Sequence, residues 1–98
     1  MVTEFEIRRE LSAIDSAALD SLSKARRLLR LAKRVQDGAL TLAHLSLRKL
    51  QEGDGEAAAR FRAAARRLVD LHEEIRVNAR TTLRPEDSAP RELLEVTA

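Results

Sequence analysis

The chain has 98 residues, of which 16 are Leu and 16 are Ala, with two Phe and no Tyr, Trp or Cys. A chain this short makes one domain with a thin core that often needs support from oligomerisation; its composition excludes disulfides and thiolate metal sites and is that of long helices rather than of a sheet. The formal net charge is only +2, but it is segregated: −3 over residues 1–23, +7 over 24–49 and −3 over 70–98.

In chain order, the opening "MVTEFEIRRE" is charged from residue 4 and lacks the apolar core of a signal peptide. Nowhere does an uncharged apolar run reach membrane-spanning length, and a cytoplasmic protein is the expectation. Thr3 followed by Glu6 reads as a capping box. Apolar residues then recur at spacings of three and four through Ile7, Leu11, Ile14, Ala18, Leu22, Ala25, Leu29, Ala32, Val35, Ala39, Ala43, Leu47 and Leu50, which predicts one helix over about 3–51. Asp37-Gly38 interrupts it with a residue that costs about 1 kcal/mol in a helix. A chain reversal there would give a three-helix bundle instead, but the apolar phase passes Gly38 without a reset.

"EGDG", residues 52–55, reads as a helix stop and turn. A second helix is expected over about 56–80, with Ala57, Phe61, Ala64, Ala65, Leu68, Leu71, His72, Ile75 and Ala79 on one stripe. Residues 1–80 would thus form a helical hairpin domain. Both prolines fall in residues 81–98, which read as an irregular tail, flexible or ordered by a partner, with a short helix through "RELLEV".

A first helix of about 75 Å against a second of about 38 Å leaves an overhang. Pairing Ile75 with Ala32 runs the second helix out near Ala25, so Ile7, Leu11, Ile14, Ala18, Leu22 and Ala25 would form an uncovered association surface. Each large apolar side chain left in water forgoes about 1.5–3 kcal/mol, and this predicts a homo-oligomer or a protein partner. "SKARRLLRLAKR", residues 23–34, carries six cations and no anion; Lys24, Arg27, Arg30 and Arg34 are expected to select an acidic partner, such as the acidic first segment of an antiparallel second copy. The same stripe, extended by Arg62 and Arg66, supports an alternative reading as a nucleic-acid-binding surface, against which stand the missing aromatic stacking groups and the modest net charge.

Candidate catalytic and metal-ligating groups are sparse. His44 and His72 are the only imidazoles and fall too far apart in a hairpin to share an ion. Asp15 with Asp20, and Glu4 with Glu6, read as a solvated helix face. No catalytic residue, cofactor or metal is expected, and Leu31, Leu42 and Leu45 are read as surface leucines. "LTLAHLSLRKL" resembles, at Ala43-His44 alone, the alanine-histidine element of histidine-phosphotransfer domains, but Leu47 and Arg48 stand where that family carries lysine and glycine.

"IRRELSAIDSAALDSL" is similar to the opening helix of the all-helical chorismate mutases, over roughly residues 7–36. The resemblance implies one long helix with two shorter ones and puts Arg8 on that family's first active-site arginine. Ala25 and Gln36 stand where its next two cations would bind a dicarboxylate, so it implies the fold without the catalytic set. The function expected from the whole sequence is non-enzymatic: a helical interaction protein, self-associating or serving as a small structural or adaptor subunit.

Overall fold

The computed structural model describes residues 3–83, which form three helices and no strand: α1 (Glu4–Ser16), α2 (Ser21–Gln51) and α3 (Gly55–Thr82). The fold is all-α and built on a hairpin of α2 and α3, the dominant contact of the molecule. Residues 84–98, which hold most of the expected tail and its short helix, lie outside the described residues.

The hairpin turn follows from three residues. Gly53 takes φ +82°, a backbone region that costs glycine nothing. Its N–H donates to the Leu50 carbonyl at 3.0 Å and the Asp54 N–H to that of Lys49 at 2.9 Å, so two carbonyls at the end of α2 are satisfied in a Schellman arrangement. Asp54 at once caps α3, its carboxylate accepting from the Ala57 N–H at 3.1 Å. Within the hairpin, buried Ser46 donates its hydroxyl to the Ala58 carbonyl at 2.7 Å.

Helix α2 runs unbroken through Asp37-Gly38, and Gly38 is buried; the three-helix alternative with a reversal there is not what forms. The long helix nevertheless does not begin at residue 3. It breaks at residues 17–20, where Ala17 is extended (ψ 143°), the Leu19 N–H turns back to the Ala17 carbonyl at 2.9 Å, and Asp20 restarts the helix as an N-cap.

The reason is local hydrogen-bond competition. Asp15, Ser16, Asp20, Ser21 and Ser23 crowd short polar side chains into one stretch, and such groups offer the backbone alternatives to helix continuation. The Ser23 N–H donates to the Asp20 carboxylate at 2.7 Å. That bond, and a lesser one from the Ser23 hydroxyl, hold the Asp20 carboxyl below its usual 3.8. Asp20 is therefore a structural cap and not merely a solvated acid.

Asp20→Ala should lower the melting temperature at neutral pH. Because the folded pKa is depressed, the stabilisation is complete above the ordinary aspartate value and disappears as pH falls through the lower folded one. Melting of wild type and variant over an acid series checks this: the gap between them should close at the acid end.

With the break in place, α1 folds back antiparallel onto α2. Ile7 and Ile14 enter one buried cluster with Leu28, Leu31, Val35 and Leu42 of α2 and Leu68, Leu71, Ile75 and Ala79 of α3. The buried stripe of α2 is thus Ala25, Leu28, Leu31, Ala32, Val35, Ala39, Leu42 and Ser46. Leu31 and Leu42, expected at the surface, are core. Leu22, Leu29, Leu47 and Leu50, expected on the stripe, are about half exposed.

The expected stripe joined two apolar faces of one helix. Alanine at positions 25, 32 and 39 lets α3 approach closely along the first, while Ile7 and Ile14 supply the bulk that covers Leu28 and Leu31. The α3 stripe is as expected from Leu68 to Ala79, with Ala58 and Ala65 also buried and Ala57, Phe61, Ala64 and His72 partly so.

Candidate interaction surface

The residues expected to bind a partner are mostly spent within the chain. Ile7 is fully buried, Ile14 and Ala25 are buried, and Leu11 is half-buried; only Ala18 and Leu22 face solvent. The overhang does not exist in the folded chain, because the corner at 17–20 turns that segment onto the hairpin.

The cations meet their counter-charges in the same way. Arg34 holds both carboxylate oxygens of Glu10 from one guanidinium nitrogen, at 2.7 and 2.8 Å. Lys24 lies 3.5 Å from Asp15 across the corner, and Arg8 lies 3.4 Å from Glu4 and 3.6 Å from Glu74 of α3. The acidic neighbour of the basic run is therefore the chain's own α1. These pairs lie at the surface, with only Lys24 half-buried, and are worth about 0–1 kcal/mol each, so they orient α1 while Ile7 and Ile14 hold it. Arg27 and Arg30 make no ion pair among the described residues; they line a shallow recess with Arg34 and Ile14 in which the Glu10 carboxylate also sits.

A different surface emerges on the opposite side of α2. Its side chains Leu22, Leu29, Leu40, Ala43, Leu47 and Leu50 fall on one seven-residue repeat and form a ridge left bare by both α1 and α3; the five leucines are 49–57 % exposed. Gln36, Arg26 and Lys33 complete the same seven-residue repeat. Beside the ridge runs a groove between α2 and α3, lined by Ala39, Leu40, Ala43, Ala65 and Val69 and edged by Arg62, Arg66 and half-buried His72. Scattered exposed leucines are ordinary; Leu40, Ala43, Leu47 and Leu50 beside an apolar groove form a patch of the kind that marks contact sites, and Leu29 and Leu22 continue the same row beyond Gln36, Lys33 and Arg26.

Most members of this ridge were legible as apolar positions. Leu40, whose spacing matches neither side of the expected stripe, was missed. The signal that could have found it is the unbroken alternation of fours and threes from Leu22 through Arg26, Leu29, Lys33, Gln36, Leu40, Ala43 and Leu47 to Leu50, a heptad seam distinct from the core.

Among the described residues no three His, Asp or Glu side chains converge as a metal site, and His44 stands exposed on α2, away from His72. No described helix is long and apolar enough to cross a membrane. What the fold defines is an all-α protein of three antiparallel helices with one bare apolar helix face. Comparison with protein-family models, with curated proteins and with solved structures finds no match.

Proposed function

We propose that this protein is a non-enzymatic helical interaction module, self-associating or acting as a small structural or adaptor subunit of a larger assembly, and that it works through the bare face of α2. The observation that carries this reading is the row Leu22, Leu29, Leu40, Leu47 and Leu50, exposed after the chain has used every other apolar face of α2 on itself. Burying a leucine from water is worth about 1.5–3 kcal/mol, so five half-exposed ones offer a substantial gain to any helix that can lie along them. The other faces are largely accounted for: α3 takes one, α1 another, and on the cationic flank Lys24 and Arg34 are paired with Asp15 and Glu10. A carboxylate standing among Arg27, Arg30 and Arg34 works against use of that flank as a phosphate site.

Sedimentation over a wide concentration range tests the reading. The wild-type chain should exceed its 11.0 kDa monomer mass as concentration rises, and the double substitution Leu40→Glu with Leu47→Glu should return it to the monomer. Because both side chains are already in water, the variant should melt no lower at matched monomer state. A wild type that stays monomeric throughout, or a variant that associates equally well, would count against this surface.

A further inference from the structure

We propose that the occupant of the α2 ridge is a second copy of this chain, lying antiparallel to the first about a two-fold axis that crosses α2 near Val35; this rests on the association reading above and specifies its partner and geometry. The ridge is complementary to itself in only one direction. When Leu29 is level with Leu40 of the second copy, the antiparallel arrangement also sets Leu22 against Leu47. The two-fold axis repeats each of these contacts, as an isologous interface requires. The small Ala43 then faces Arg26, and Lys33 faces Gln36, so no leucine is matched with a charge. A parallel arrangement would instead stack Arg26 on Arg26 and Lys33 on Lys33, like charges directly opposed.

The charge pattern selects the same direction independently. Six cations lie between residues 24 and 34, whereas residues 38–47 carry no Asp, Glu, Lys or Arg; antiparallel pairing lays the cationic half of each α2 on the neutral half of the other. Asp37, the one acid within α2, comes level with Ala32 of the second copy, one residue along from its Lys33.

From Leu22 to Leu50 the strip is about 42 Å long and about 10 Å wide, a flat footprint of roughly 840 Å² over two copies. Side-chain relief and the groove edge of α3 add to it, toward the ~1,200 Å² at which specific interfaces begin.

The chain lacks cysteine, so introduced thiols report on geometry alone. In the proposed dimer a Leu29→Cys chain mixed with a Leu40→Cys chain should form a disulfide-linked pair under mild oxidation, at least about tenfold faster than either variant oxidised alone. Two copies of the same variant would hold their thiols about 16 Å apart along the helix, beyond the reach of ~7 Å between Cα atoms. Leu22→Cys mixed with Leu47→Cys provides a second, independent pair, and helical circular dichroism of each variant before mixing verifies the fold. Cross-linking in both mixtures and not in the single variants supports the proposal. Faster linking of the single variants, or silent mixtures from a chain that sediments as an oligomer, overturns the antiparallel pairing and leaves the association reading standing. A wild-type chain that is monomeric at every concentration overturns both.

Discussion

Ile14→Asp is expected to release α1 from the hairpin while leaving α2 and α3 paired. Ile14 is buried against α2, and with Ile7 it supplies the large apolar contacts that hold α1. The substitution forgoes about 1.5–3 kcal/mol of burial and sets a carboxylate in an apolar contact, which adds a desolvation cost of at least that order. The surface pairs Arg34–Glu10, Lys24–Asp15 and Arg8–Glu74 return about 0–1 kcal/mol each and are too weak to hold a 13-residue helix that is itself shorter than isolated helices usually need to be. Native-state hydrogen exchange reads the outcome directly: amides of residues 7–16 should lose protection in the variant while those of α2 near Val35 and α3 near Leu71 keep theirs. Loss of protection in all three helices together would mean that α1 and the hairpin fold as one unit.

Ile75→Ala should have the largest effect on global stability, lowering it by about 2–5 kcal/mol. Ile75 is fully buried and belongs to the one cluster to which all three helices contribute, so the space it leaves cannot be filled by a neighbour from solvent. A domain of this size has a total stability of roughly 5–10 kcal/mol, and the substitution removes a large share of it. Urea unfolding followed by helical circular dichroism should show the midpoint falling steeply with little change in slope. Val77→Ala, two residues on but about half exposed, should leave the midpoint nearly unchanged. Equal shifts for the two would mean that the apolar face of α3 is not the one described.

Both effects depend on features that differ in how far they can be read from residue order alone. The turn at Glu52–Asp54 is written in "EGDG", because glycine with a positive φ and an aspartate cap act within four residues. The α3 core from Leu68 to Ala79 follows from spacing alone, since that helix has one predominantly apolar face. Passage of α2 through Gly38 is likewise a matter of phase. The corner at residues 17–20 was written too, in Asp20, Ser21 and Ser23, but apolar periodicity runs across it and outweighs a cap when only the pattern is weighed.

The amino-acid order by itself determined the all-α class, the hairpin and its turn, the segregation of charge and the surplus of apolar helix surface. These are local or compositional properties, set by dihedral preference, capping and period. Which of two apolar faces of α2 became core was decided only by tertiary structure. Both faces carry leucine and alanine at helical spacing, and the choice depends on what each can pack against: α3 approaches over Ala25, Ala32 and Ala39, and α1, once turned at Asp20, covers Leu28 and Leu31. The same folding-back placed Glu10 on Arg34 and left Leu22, Leu29, Leu40, Leu47 and Leu50 bare, because three helices of this length have too little surface to shelter every apolar face of the longest one.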